Sequence, residues 1–159
     1  MRAADWRALR RCRLQALSLD AASFGTSLDE AAKRPVDHWR DLARQHSQGP
    51  DRAILLAIDG EVVVGMIRVE RESPRELFGI YSLWVAPEVR RRGLAARLLD
   101  RAEKWAVSVG GRRAELFVAA DAAPARALYA RFGYRANGRT DDDRADGGVE
   151  IGMERTLAG

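Results

Sequence analysis

The stretch from 77 to 120 restricts the fold more than any other part of the chain. "LFGIYSLWV" (77–85) is a mostly apolar run that suits a strand buried on both faces. From Leu94 onward, Leu94, Leu98, Ala102, Trp105 and Val109 form one helical stripe with Ala95, Leu99 and Ala106 beside it, and Gly110-Gly111 ends the pattern. "AELFVAA" (114–120) then returns to a strand. Strand, helix and strand in immediate succession require a crossover, so the two strands are expected to run parallel.

The flanking segments add antiparallel pairs. "AILLAI" (53–58) and "EVVVGMIRVE" (61–70) lie on either side of Asp59-Gly60, a strong hairpin signal of the type I′ kind. "YRANGR" (134–139) and "GVEIGMERTL" (148–157) read as a final hairpin around the acidic loop "TDDDRADGG". Helices are expected from Asp5 to about Leu19, from Pro35 to about His46, and from Pro124 to Phe132, with a loop or short turn between the first two. The order is helix, helix, three strands, helix, strand, helix, two strands. This predicts an α/β chain (α+β with a mixed sheet), and no linker or repeat divides residues 1–159, so one domain is expected.

Composition narrows the function. With 159 residues, 47% of them hydrophobic, the chain can bury a core of its own. No segment approaches the roughly 20 apolar residues of a membrane helix, and the charged N-terminal region does not resemble a signal peptide, so a cytoplasmic protein without a membrane role is expected. The lone Cys12 reads as a small buried side chain, and His38 and His46 as surface histidines; no third ligand is spaced to make a metal site. All but two of the 27 basic residues are arginine, and the net charge is +4. The arginines are scattered and mixed with 23 acids, which argues against a nucleic-acid surface and suits an anionic small ligand better.

The junction "WVAPEVRRRGLAARLLD" (84–100) is where such a ligand fits. A helix starting near Gly93 leaves unpaired N–H groups in its first turn, and these attract an anion together with the helix dipole. Gly93 lets a phosphate approach the backbone, Ala95 keeps the next turn slim, and Arg90, Arg91 and Arg92 add charge at the rim. The pattern is neither a P-loop nor a Gly-rich dinucleotide fingerprint. By itself, R-x-x-G-x-A leaves a purely structural helix start equally open.

Two motifs together resemble the GNAT superfamily of N-acetyltransferases: Arg90-Arg91-Arg92-Gly93-Leu94-Ala95, and A-x-x-L-Y-x-x-x-G-[FY] on Ala125, Leu128, Tyr129, Gly133 and Tyr134. The likeness covers roughly residues 77–157. It implies a GNAT-like fold: a mostly antiparallel central sheet with one splayed parallel pair and flanking helices. It also implies acetyl-CoA as cofactor, with its pyrophosphate on the 90–95 turn and its pantetheine arm in the V between strands 77–85 and 114–120. Leu83, Trp84 and Val85 would line that arm, with Asp121, Ala125 and Tyr129 opposite. The backbone N–H of Leu83 would face the thioester carbonyl, and the Tyr129 hydroxyl would protonate the departing thiolate. The implied reaction is direct transfer to a primary amine.

Three departures from the family pattern stand out. Ala122 replaces a frequent Asn and so loses a side-chain bond to the cofactor. Gly79 and Phe117 stand where some members carry a carboxylate base. The usual first strand is nearly absent. The base is therefore open among Glu30, Glu115 and Tyr81, and the acceptor side is expected to include Phe24, Glu30, Trp39 and Tyr81. The acidic run at 141–143 reads as a solvated turn or, if it overhangs the acceptor mouth, as a lure for a cationic amine. A CoA-binding module that does not catalyse, and a homodimer, are the alternatives left open.

Overall fold

A computed structural model describes residues 1–21, 24–142 and 148–157. The elements are α1 (Trp6–Leu19), α2 (Leu28–Lys33), α3 (Val36–Gln45), β1 (Arg52–Asp59), β2 (Val62–Arg71), β3 (Leu77–Val85), α4 (Leu94–Ser108), β4 (Arg113–Ala119), α5 (Ala123–Arg131), β5 (Arg135–Asp141) and β6 (Glu150–Thr156). The six strands form one sheet in the order β1-β2-β3-β4-β6-β5, and only β3 and β4 pair in parallel. Among the described residues no strand precedes α1.

Alternation along the strands separates two cores. Ile67, Val69, Phe78, Ile80, Leu116 and Val118 face α4, where Leu98, Leu99, Ala102 and Ala106 meet them. The opposite face of the sheet offers Met66 and Trp84 to Cys12 and Ala16 of α1, and Ile54 to Leu9 of α1 and Ala43 of α3. Phe78 is fully buried, with Trp105 edge-on at 5.8 Å. Such a ring contributes about 1.5–3 kcal/mol by leaving water. The Gly110-Gly111 stop works as a Schellman end: Gly111 N–H donates to Ala106 O (2.8 Å) and Gly110 N–H to Val107 O (3.0 Å).

Three local expectations need correction. Pairing of Asp59 with Val62 puts Gly60 and Glu61 at the hairpin's centre, and only Gly60 takes a positive φ (58°) there, which is the II′ pattern rather than I′. The segment between α1 and α3 holds a short helix, α2, because Ser27 caps it and Glu30 closes the box. His46 is buried, not on the surface: its ring bonds Leu42 O (2.8 Å) and Glu70 Oε1 (2.7 Å), tying α3 to β2.

Candidate active site

The sheet opens between β3 and β4. Their pairing stops at Gly79 and Glu115, although β3 continues to Val85 and β4 to Ala119. A bulge in β3 aids the separation: Met66 pairs with Trp84 but Arg68 with Tyr81, and Ser82 in the bulge takes φ 53°. Backbone direction past the bulge follows from one bond. Ala86 N–H donates to Val64 O (2.8 Å), so it faces β2. Alternation turns the Trp84 amide the same way and the Val85 and Leu83 amides toward the gap, where no strand pairs with them.

The 90–95 turn sits at the mouth of this gap. Gly93 precedes α4 with φ 77°, and Arg91 before it has φ 62°. Nothing lies within 4 Å of a Cβ placed on Gly93, so the approach to the helix start is open. Arg97 N–H makes the first intrahelical bond, to Gly93 O (3.0 Å). The amides of Leu94, Ala95 and Ala96 therefore have no helical acceptor, and no side chain caps this helix. The three arginines differ in use. Arg90 donates to Val85 O (2.9 Å) and to Asp20 Oδ2 (2.5 Å), and Asp20 also accepts from Trp84 Nε1 (2.8 Å). Arg90 thus braces the turn against β3 and α1. Arg91 lines the cavity; Arg92 is exposed and does not.

Two cavities meet in the V. One, of about 550 Å³, runs along the 90–95 turn past Leu83, Trp84, Val85, Gly93, Leu94 and Ala95 to Tyr129. The other, of about 460 Å³, continues on the far side with Phe24, Arg13, Tyr81, Phe117, Asp141 and Glu150. Leu83, Ala122, Ala125 and Tyr129 line both. Ala122, which departs from the family pattern, stands in this passage, whereas Asp121 is exposed and lines neither cavity. Tyr129 is buried, and burial, helped by Glu150, pushes its phenol up to about 12. It carries its proton throughout the neutral range.

The residues expected on the acceptor side separate. Phe24 and Tyr81 line the second cavity. Trp39 is buried in an adjoining recess, and Glu30 lines none of these cavities. The Glu30 carboxylate caps α2, accepting from Ser27 N–H and Oγ (both 3.0 Å), which holds its pKa below the usual value. Glu115 accepts from Asn137 Nδ2 (2.7 Å) and Arg139 Nη1 (2.6 Å) and does not line the cavity either. Tyr81 donates to Glu72 Oε1 (2.7 Å); burial and that bond push its pKa up. Its ring fills the space a side chain at Gly79 would need, since a Cβ there would lie 2.5 Å from it. The tyrosine thus takes the room where a strand carboxylate could stand. Sequence reasoning missed Arg13, Arg68 and Glu150, whose approach depends on how α1, β2 and β6 pack. The 141–143 run divides: Asp141 lines the cavity, Asp142 is exposed, and Asp143 lies outside the described residues. Among the described residues no group of His, Cys, Asp and Glu could hold a metal, and no helix is long and apolar enough to cross a membrane.

Comparison with known proteins agrees with this geometry. The model of the acetyltransferase (GNAT) family matches residues 14–134. A mycothiol acetyltransferase of Brachybacterium faecium is 27% identical over 132 residues, which span 81% of this chain and 39% of that protein. The chain therefore covers well under half the length of that relative. A GNAT-family acetyltransferase of Streptococcus pneumoniae superposes with a TM-score of 0.86 at 17% identity, covering 99% of this chain and 96% of that one. A Salmonella typhimurium protein solved with its cofactor acetyl-CoA superposes at 0.82 and 16% identity, covering 100% and 92%. The fold is that of these acetyltransferase structures. The chain belongs to the acetyltransferase (GNAT) family, whose members use acetyl-CoA.

Proposed function

We propose that this chain transfers an acetyl group from acetyl-CoA directly to a primary amine, in the cytoplasm. The observation that carries the reading is the meeting of two cavities at Leu83 and Tyr129, one opening onto a helix start and the other onto acceptor-side polar groups. The first cavity suits the cofactor by chemistry: open amides at Leu94, Ala95 and Ala96 match a pyrophosphate, and the outward amides of Leu83 and Val85 match an extended amide chain.

When bound, acetyl-CoA supplies an activated acyl group; overall a C–N bond forms, the C–S bond breaks, the amine loses a proton and the thiol gains one. Leu83 N–H orients and polarises the acyl oxygen as charge develops there. Tyr129 supplies the proton to sulfur; its raised pKa keeps it loaded. Proton loss from the amine is assigned to Glu150, a carboxylate of the acceptor cavity close enough to raise the Tyr129 pKa.

The test is thiol release from acetyl-CoA across a panel of primary amines, paired with thermal unfolding in acetyl-CoA, CoA and ATP. Stabilisation by both CoA forms plus amine-dependent thiol release supports the reading; a ligand at one hundred times its Kd should add about 2.7 kcal/mol. Stabilisation without thiol release from any amine would leave a binding module instead.

A further inference from the structure

A third cavity, of about 270 Å³, opens beside the acceptor cavity, and Arg13, Thr26, Arg68 and Ser82 line both. Arg34 and Trp39 complete its polar wall. Three guanidinium groups thus converge from α1, the loop after α2, and β2. Their neutralisation is incomplete. Arg13 has no carboxylate partner among the described residues: it donates to Ser82 Oγ (3.1 Å) and stacks on Phe24 at 4.4 Å. Arg34 hydrogen-bonds the His38 ring (3.0 Å) and has Glu30 near enough to feel its charge, but that carboxylate is held by Ser27. Arg68 has Glu70 at 3.7 Å, but His46 already holds that carboxylate at 2.7 Å.

Two buried donors on residues of the same wall lack a hydrogen-bond acceptor among the described residues: Trp39 Nε1, on a residue 1% exposed, and Arg68 Nε. Buried unpaired donors are costly, and donors gathered with incompletely neutralised guanidinium groups call for an oxyanion. Burial and then the neighbouring Arg68 and Arg34 press the Arg13 pKa down to about 10, a repulsion that an anion would relieve.

We propose that this recess is an oxyanion site belonging to the acceptor, so that the amine acetylated here carries a carboxylate or similar anionic group, as an amino acid does. The proposal rests on the acetyl-transfer reading for its choice of occupant, because the recess opens only a few side chains from Tyr129's cavity. It also accounts for a charge gradient in the acceptor cavity: Glu150 acts on Tyr129, while Arg13 and Arg68 are shared with the recess. A zwitterion would lie along that gradient with its ammonium toward Tyr129.

The experiment compares free L-amino acids with their carboxamides and with the amines lacking the carboxyl group, scored by kcat/KM for thiol release from acetyl-CoA. Aminoalkyl phosphonates form a further arm that separates carboxylate from phosphonate as the preferred anion. Carboxylates or phosphonates should be preferred over carboxamides by about tenfold or more, and Arg68→Gln should shrink that preference through KM. Arg34→Gln, on an exposed side chain, guards against a folding defect and should shrink it as well. Equal rates for acid and amide, or a preference surviving both substitutions, would overturn the proposal. The indole N–H resonance of Trp39, followed during titration with leucine and with leucinamide, reads the recess without catalysis. A shift with leucine alone while no amine releases thiol would keep the anion site and sink the transfer reading.

Discussion

Around Gly93 the cleft presents main-chain amides, and nearly all come from one continuous strand, turn and helix between Leu83 and Ala96. Around Arg13 it presents side chains, drawn from positions as distant as 13, 34, 68, 82 and 150. The backbone half is fixed by local conformation: a bulge at Ser82, positive φ at Arg91 and Gly93, and a helix start without a cap. The side-chain half exists only because α1 and α3 pack on the face of β2 that carries Met66 and Arg68. A single substitution should therefore damage the first half through geometry and the second through charge.

The sharpest test lies where the halves meet. Tyr129→Phe should lower turnover by about a hundredfold or more while CoA affinity stays unchanged, as titrations and steady-state rates would show. With its phenol near 12, the wild-type acid stays protonated up to about pH 11, so no loss of rate between pH 7 and 10 should come from this group. A Phe variant with normal turnover would break the assignment.

Next comes Gly93→Val. A β-branched residue at φ 77° is strained by about 1–3 kcal/mol, although nothing blocks its Cβ. CoA affinity should fall about tenfold, with spectra of the unliganded protein unchanged. Near-normal affinity would show that the amides beyond Gly93 are not what binds.

Glu70 offers a milder probe of the side-chain half. The His46 bond holds its pKa below the ordinary carboxylate value of about 4.5. A depressed carboxylate stabilises the fold above its unfolded pKa, and the contribution disappears as pH falls through the folded value. Thermal unfolding should thus show wild type losing stability below about pH 4.5 more steeply than Glu70→Gln. Parallel curves would mean the bond contributes nothing. Smallest of all, Glu30→Gln should leave turnover unaltered, because that carboxylate caps α2; a clear fall in rate would return Glu30 to the acceptor side.

Much of the backbone half could be read in advance. Local rules decide whether Leu94 to Val109 forms a helix, whether Gly110-Gly111 ends it and whether a crossover makes β3 and β4 parallel, so those expectations match the structure. The hairpin at Gly60 was legible as a turn but not in its type, since pairing of Asp59 with Val62 moves the centre by one residue. The acceptor half resisted the same treatment. Glu30 sits in the right region of sequence yet is spent on a cap, and Trp39 lies not in the acceptor cavity but in the recess beside it. Arg68 looks like any outward residue of an alternating strand, and its importance comes from the helices laid across it.

The sequence alone determined the order of the six strands and the longer helices, and the helix start at 93–96, because each depends on contacts within a few residues. Only the tertiary structure decided where β3 and β4 part, which arginines face one cavity and which carboxylates are already satisfied. Those outcomes depend on packing between segments as far apart in sequence as Arg13 and Glu150, where side-chain direction and burial, not residue type, set the chemistry.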